Sequence, residues 1–220
     1  MSSIDAMNAN KKNLEYWNDF YNSDYNRNNV LVDDWLWVFD KTIDAARGPV
    51  IDLGCGEGND TIYLLDRKKE VVPCDGAMNA VLNIRNNFSE VKNSICFDML
   101  NSFPFANSST DLMVADLSLH YFTRDDTLKI LKEIRRVLVN KGHLLFRVNS
   151  INDINHGAGQ ELEVEPHLYL TEDGRYKRFF DSKDIYEIFN IFDIKYVRED
   201  SMKRYKLEKK VYIVDAKNIK

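Results

Sequence analysis

A cluster of glycines follows a short apolar run in this chain, and an aspartate comes after it at an informative distance. Gly54, Gly56 and Gly58 let the backbone turn sharply and approach a ligand closely. The helical stretch behind them offers unpaired N–H groups to a carboxylate or a phosphate. Asp75 follows Gly54 by 21 residues, a distance at which an acidic side chain can accept hydrogen bonds from a ribose diol. Together these residues predict a site for an adenosine-containing ligand.

Strands and helices alternate on both sides of this cluster. Apolar runs predict strands at 50–53, 70–74, 94–97, 111–115, 143–148, 193–198 and 210–216. Helical spacing follows at 59–65, at 78–88 and after Thr123, whose spacing to Asp126 is that of a capping box. The pattern predicts an α/β fold with a doubly wound, mainly parallel seven-stranded sheet, helices on both faces and antiparallel C-terminal strands.

Polar residues follow four of the predicted strands. Asp75, Asp98 and Asp116 each close a strand, and the glycine cluster follows the first one. Because ligands of open α/β sheets bind outside the carboxyl ends of the strands, we expect these residues to surround one crevice.

Composition and charge exclude several classes of protein. The 220 residues are 44% hydrophobic and 30% charged, which is typical of a globular chain, and the formal net charge of −5 disfavours nucleic acid as a partner. No apolar run approaches the ~20 residues that cross a bilayer, so we expect a cytoplasmic protein without a membrane partner. Cys55, Cys74 and Cys96 form no C-x-x-C pair and predict neither disulfides nor a zinc site.

The chain is expected to form a single domain over residues 1–220. Residues 1–33, rich in asparagine and aromatic side chains, predict a short helix and a loop that cap this domain. Residues 150–181 form a connection much longer than such sheets usually use, and they predict an insertion that either covers a substrate or is a solvated loop.

The segment Val50–Gly58, with the sequence VIDLGCGEG, resembles the nucleotide-binding motif of class I S-adenosylmethionine-dependent methyltransferases. Asp111–His120 resembles the fourth strand of that family, and Arg136–Phe146 resembles its next turn and fifth strand, although the segment Asn140–His143 lacks the usual proline and second glycine. The resemblance covers residues 34–148 and implies a Rossmann-like methyltransferase fold with S-adenosylmethionine as the cofactor.

The resemblance also implies which residues bind the cofactor. Asp52 is expected to bind the amino group of its methionine part, Asp75 the ribose, and Asp98 and Met99 the adenine, with a solvated carboxylate as the alternative for Asp98. Trp17 and Tyr21, four residues apart on the N-terminal helix, either cover the cofactor or anchor the core. The complete expected set is Trp17, Tyr21, Asp52, Gly54, Cys55, Gly56, Gly58, Asn59, Asp75, Gly76, Met78, Asp98, Met99 and Asp116.

The acceptor side of the site is less strongly marked. His120, just past the fourth strand, is a candidate general base, and the alternative is a histidine that only closes the pocket floor. Tyr121, Tyr169 and Arg178 are candidate substrate contacts, as is Arg147, whose guanidinium would bind an anionic acceptor. The remaining histidines and acids of the insertion have no metal-ligand spacing, so no metal is expected.

Three functions agree with these features. The first is methylation of a small molecule, with a thiol or tellurite as acceptor, because the chain is weakly similar to tellurite-resistance and thiopurine-type methyltransferases. The second is methylation of RNA, and the third is a regulatory protein that binds the cofactor without turnover. The chain is expected to be a monomer or a homodimer, and a dehydrogenase is disfavoured because the glycine spacing differs from G-x-G-x-x-G.

Overall fold

The architecture is a mixed sheet between layers of helices, in a computed structural model that describes residues 3–22 and 30–220. The main sheet within those residues contains β1 (Val50–Leu53), β2 (Val71–Asp75), β3 (Ile95–Cys96), β4 (Thr110–Asp116), β5 (Leu138–Asn149), β9 (Asp193–Met202) and β10 (Lys209–Lys217). Their spatial order is β3-β2-β1-β4-β5-β10-β9. Strands β1 to β5 run parallel, and β10 runs antiparallel to both β5 and β9. The predicted fold class is confirmed.

The helices are α1 (Ser3–Phe20), α2 (Asp40–Ala45), α3 (Asn59–Asp66), α4 (Met78–Asn87), α5 (Arg124–Val137) and α6 (Ser182–Ile188). The predicted cap of α5 is present, since Thr123 accepts a hydrogen bond from the backbone of Asp126 at 3.1 Å. Helix α1 is 18 residues long, so the prediction of a short N-terminal helix was wrong. No helix in the described ranges is both long enough and apolar enough to cross a membrane.

Strand β4 shows why the sheet is buried on both faces. Met113 and Ala115 pack into one apolar cluster together with the inner face of α5. Leu112 and Val114 point the other way, into a cluster that contains Trp35 of a short 3-10 helix (Trp35–Phe39). All four strand residues have no exposed surface, which explains the continuous apolar run of this segment.

The long connection after β5 has a structure of its own. It contains a short 3-10 helix (Ile154–His156) and a separate antiparallel sheet of β6 (Leu162–Glu165), β7 (Leu168–Leu170) and β8 (Tyr176–Arg178). A bridge between Ser150 and Phe180 joins its two ends. Leu168 and Tyr176 pack against Ala9 of α1, so the insertion and the N-terminal helix support each other.

Candidate active site

A cavity of about 790 Å³ lies at the carboxyl ends of β1, β2 and β4, within the size range of small-molecule sites. Its walls come from the glycine cluster, α1, the insertion and the connection between β9 and β10. The predicted site residues that line it are Trp17, Tyr21, Gly54, Cys55, Gly56, Asn59, Asp75, Gly76, Asp98, Met99, Asp116, His120, Tyr121 and Tyr169.

The loop after β1 needs glycine at two positions for different reasons. Gly54 has φ +83°, and a Cβ there would lie 2.3 Å from the Cβ of Ser118. Its N–H and that of Cys55 both donate to the carbonyl of Cys74, at 2.7 and 2.9 Å, which folds the loop back over β2. Gly56 has φ +48° and faces the Tyr21 hydroxyl. The loop therefore presents bare backbone to the cavity.

The carboxylate of Asp75 lies beside this loop. It accepts hydrogen bonds from the backbone N–H of Gly56 at 3.0 Å and of Ala77 at 2.8 Å. Burial raises the pKa of this carboxyl, while those N–H groups lower it. Two carboxylate oxygens can accept about four hydrogen bonds, so Asp75 keeps capacity for two hydroxyl donors from the cavity.

Asp98 holds the N-terminal helix at the same cavity. Its two carboxylate oxygens accept from the side chain of Asn10 on α1 at 2.8 Å and from the backbone of Leu100 at 2.9 Å. Phe97 and Met99 line the cavity on either side of it. An apolar slot with one carboxylate at its edge can accommodate a flat aromatic base with an amino group.

Aromatic side chains of α1 cover the middle of the cavity. Trp17 stacks on Tyr21 with ring centroids 5.8 Å apart and meets Tyr121 edge-on at 6.0 Å. The indole Nε1 of Trp17 is buried without a hydrogen-bond partner among the described atoms. Burial and the nearby carboxylate of Asp75 raise the pKa of Tyr21, so its phenol is neutral. These rings fill the space between α1 and the glycine loop.

His120 lies at the far side of the cavity and is only 2% exposed. Its Nδ1 has no hydrogen-bond partner in the described structure. Burial, Lys209 and Lys177 lower the pKa of His120, so the imidazole is neutral near pH 7. The ring of Tyr121 lies 4.2 Å away, centroid to centroid. A neutral imidazole with a free nitrogen can accept a proton from a group in the cavity.

Three predicted cofactor residues do not line the cavity. Asp52 is 1% exposed and accepts a hydrogen bond from the Thr61 hydroxyl at 2.6 Å, and burial raises its pKa to about 7. Gly58 faces Phe88, and Met78 is 49% exposed at the start of α4. All three residues lie in the scaffold beside the cavity, and their roles in cofactor binding stay predictions.

Two arginines predicted to bind the acceptor are also turned away from the cavity. Arg147 donates from Nε and Nη2 to the carboxylate of Asp116, at 2.6 and 2.7 Å, and from Nη1 to Asp33 at 2.9 Å. Arg178 donates to Glu165 at 2.5 Å and is 3% exposed. Both guanidinium groups therefore have carboxylate partners within the protein and do not line the cavity, and the contact of Arg147 with an anionic acceptor stays a prediction.

The sequence prediction missed several residues that the structure brings to the cavity. They are Asn10, Phe97, Ser118, His156, Lys177, Tyr205 and Lys209. Lys177 could have been assigned to a side of its strand, because successive strand residues point to opposite faces. Tyr176 and Arg178 are buried, and Lys177 between them is not. The others depend on contacts between distant segments, for which a single sequence has no signal.

The family model described as "Methyltransferase domain" matches residues 51–146. A curated relative, the tRNA N(3)-methylcytidine methyltransferase trm141 of Schizosaccharomyces pombe, is 24% identical in an alignment 203 positions long that covers 80% of this chain and 77% of the relative.

Solved structures show the same fold. A SAM-dependent methyltransferase from Anabaena variabilis superposes with a TM-score of 0.70 at 19% identity, covering 95% of this chain and 94% of the other. The 1,6-didemethyltoxoflavin-N1-methyltransferase of Burkholderia thailandensis, solved with bound 1,6-didemethyltoxoflavin and S-adenosylhomocysteine, has a TM-score of 0.65 at 16% identity. That comparison covers 100% of this chain and 92% of the other.

Proposed function

Since this chain belongs to the class I S-adenosylmethionine-dependent methyltransferases, we propose that its acceptor is a small molecule that binds beside His120. The observation that carries this proposal is the continuity of the cavity, which runs from the glycine loop to His120 beneath α1 and the insertion. An acceptor has to fit between these layers, and that favours a small molecule over a folded nucleic acid.

The residues around the cavity fit S-adenosylmethionine. Asp75 has free acceptor capacity for the ribose hydroxyls, and the slot of Phe97, Asp98 and Met99 suits the adenine. Gly54 and Gly56 let Ser118 and Tyr21 pack directly on the loop backbone, and we assign the methionine part to the cavity beside this loop. We therefore assign cofactor binding to these residues and to Trp17 and Tyr21 above them.

When bound, S-adenosylmethionine supplies a methyl group made electrophilic by its sulfonium. An acceptor held in line with the sulfonium would receive this methyl group as the sulfur–methyl bond breaks with its electron pair on sulfur, and S-adenosylhomocysteine would be the other product. Holding the two reactants in line can lower the activation free energy by about 7 to 11 kcal/mol.

The chain's own residues would align the acceptor, exclude water and hold a proton. Tyr121 and Tyr169 lie where they can contact the acceptor, and Trp17 closes the cavity above it. An acceptor that carries a proton on its nucleophile would transfer it to the neutral imidazole of His120, which lines the cavity. A soft acceptor that is already deprotonated, such as a thiolate, would not need this step.

Methylation of RNA is the second candidate, because the trm141 relative is described as a tRNA N(3)-methylcytidine methyltransferase. A base turned out of a loop could enter the same cavity. The net charge of −5 disfavours this function, since nucleic-acid partners usually require a basic surface.

Transfer of a labelled methyl group separates the candidates. The purified protein would be incubated with methyl-tritiated S-adenosylmethionine and offered either a metabolite extract that passes a size filter or purified total tRNA. We expect label in the small-molecule fraction only, and loss of that label in His120→Gln when the acceptor is protic. His143→Gln, at a histidine paired with Asp215 on β10, is the control and should keep full transfer. Label in tRNA alone would favour the second candidate, and cofactor binding without transfer to either fraction would favour a regulatory protein.

A further inference from the structure

The far end of the cavity, around His120, carries positive charge from two lysines. Lys177 comes from β8 and Lys209 from the start of β10, and both line the cavity. The Nζ of Lys177 donates to the backbone carbonyl of His156 at 2.5 Å. The Nζ of Lys209 donates to Asp153 at 2.9 Å, and the ring of His156 contacts the same carboxylate at 2.8 Å. The insertion and β10 therefore meet at one basic cluster, formed by His156, Lys177 and Lys209.

Most cations near this cluster have an acidic partner. Lys209 pairs with the fully buried Asp153, which also accepts from the backbone of Lys210. Arg175 pairs with Asp173 at 2.8 Å, and its guanidinium carbon lies 3.5 Å from the Tyr16 ring centroid. The remaining cavity cation, Arg204, donates to Asp116 at 2.9 Å and to Asp33 at 3.2 Å.

Lys177 differs from these cations. In the described part of the chain it has no carboxylate within ion-pair distance, and it is half-buried with its ammonium 5.3 Å from the Phe179 ring centroid. Burial and Lys209 lower its pKa to about 8, against the opposing charges of Asp153 and Glu161, and this still leaves it mainly protonated at pH 7. A half-buried ammonium without a carboxylate at ion-pair distance is costly, and a ligand that supplies an anion would reduce that cost.

We propose that Lys177 binds an anionic group of the methyl acceptor and thereby places the acceptor's nucleophile at His120. The inference rests on the proposed function, because it names the class of small molecule that enters the cavity. The two residues belong to one surface, since the carbonyl of His120 accepts a hydrogen bond from the backbone of Arg178, the residue after Lys177. A carboxylate, a phosphate or another oxyanion would satisfy the ammonium equally well.

An anion at Lys177 also acts on His120 through charge. The charged groups that influence this imidazole are Lys209, Lys177 and Asp116, and the two lysines disfavour its protonated form. A bound anion offsets their field, so His120 becomes a stronger base when such an acceptor is present. Recognition of the acceptor and acceptance of its proton are thus coupled in one place.

A polyanion could offer the same charge, but the position of Lys177 favours a small molecule. The ammonium donates to a carbonyl of the insertion, and the exposed residues Glu161 and Glu172 line the same cavity. Those two carboxylates repel a phosphate chain that approaches along the surface, whereas a small monoanion is affected less.

The test compares matched anionic and neutral probes on the complex with S-adenosylhomocysteine. Benzoate and benzamide, and acetate and acetamide, would be titrated by calorimetry while the imidazole resonance of His120 is followed by NMR. We expect the anion of a pair to bind about tenfold more tightly, because a charge-assisted hydrogen bond is added. Lys177→Met should abolish this preference, and Lys177→Arg should retain most of it.

Two controls keep the outcome interpretable. Lys183→Met, at a 77% exposed lysine on α6, should preserve the preference. The affinity for S-adenosylhomocysteine should stay within about twofold in Lys177→Met, which shows that the variant is folded. Equal binding of anion and neutral probe in the wild type, or a preference that survives Lys177→Met, would overturn the anion site. The proposed function is tested separately by methyl transfer. If no methyl transfer occurs, the titration still shows whether Lys177 binds anions.

Discussion

The hydroxyl oxygen of Tyr21 lies 2.6 Å from the position that a Cβ on Gly56 would take. This places the turn that follows the N-terminal helix directly on the glycine loop, and the contact exists only because the loop has no side chain there. Asn83 of α4 fixes the same turn by donating to the carbonyl of Tyr21 at 2.9 Å. The loop and its cover are therefore fitted closely to each other.

Gly56→Ala should weaken S-adenosylmethionine binding by about tenfold or more, since the added methyl displaces Tyr21 and the residue keeps an unfavourable φ of +48°. Calorimetric titration measures the effect. Gly159→Ala is the matched control, because Gly159 has φ +72° but no atom within 4 Å of its added methyl. Equal losses of affinity in both variants would mean that backbone strain, and not the contact with Tyr21, determines the result.

Asp75→Asn should lower the affinity for S-adenosylmethionine by about tenfold, or about 1.4 kcal/mol. The amide turns one acceptor oxygen into a donor that faces the N–H of Gly56 or Ala77, and it accepts one ribose hydroxyl fewer. Asp34→Asn, at an exposed aspartate without a side-chain cap bond, is the control. Unchanged binding in Asp75→Asn would remove this residue from the ribose site.

Much of this fold was predictable because it depends on local patterns. Apolar runs, the glycine cluster and the Thr123 cap each have a local physical cause, and the carboxyl ends of parallel strands meet at one edge. Asp75, Asp98 and His120 therefore came together at the cavity as predicted. The division into cap, domain and insertion stays a prediction, and residues 1–2 and 23–29 of the cap lie outside the described ranges.

Arg147 shows what the sequence could not supply. Its position at the end of β5 was predicted correctly, but the direction of its side chain follows from the register, which pairs it with Asp116 on β4. Strand register depends on pairing between segments that are distant in sequence, so the sequence alone did not predict that the carboxylate of Asp116 binds this guanidinium. The small sheet of the insertion was missed for the same reason, because β7 and β8 have three residues each.

Asp52→Asn should change how stability depends on pH. Burial raises the pKa of Asp52 to about 7, above the ordinary value of 3.8, so the folded state holds a proton that the unfolded state releases. Its contribution is fully present below about pH 4 and is lost as the pH rises towards 7. When urea unfolding is measured at several pH values in that window, the free energy of unfolding of the variant should change less with pH than that of the wild type, because an amide does not titrate. Asp66→Asn, at an exposed residue of α3, is the control and should show the same dependence of the free energy of unfolding on pH as the wild type. If Asp52→Asn also showed that same dependence, the raised pKa of Asp52 would be contradicted.

Arg147→Met should destabilise the protein by about 3 to 5 kcal/mol at pH 7, because it leaves the buried Asp116 with one of its two cations. Arg198→Met, at an exposed arginine paired with Asp200, should cost about 0 to 1 kcal/mol.

Although burial opposes the shift, Arg147 and Arg204 lower the pKa of Asp116 to about 2. The stabilisation from Asp116 is therefore present above its ordinary pKa near 4 and is lost as the pH falls towards 2. Urea unfolding at both ends of that range should show that wild type and Arg147→Met differ less in their free energy of unfolding in acid than at neutral pH. If the difference is the same at both ends, the variant is destabilised mainly by lost packing against Trp35, whose ring lies 4.8 Å from the guanidinium carbon.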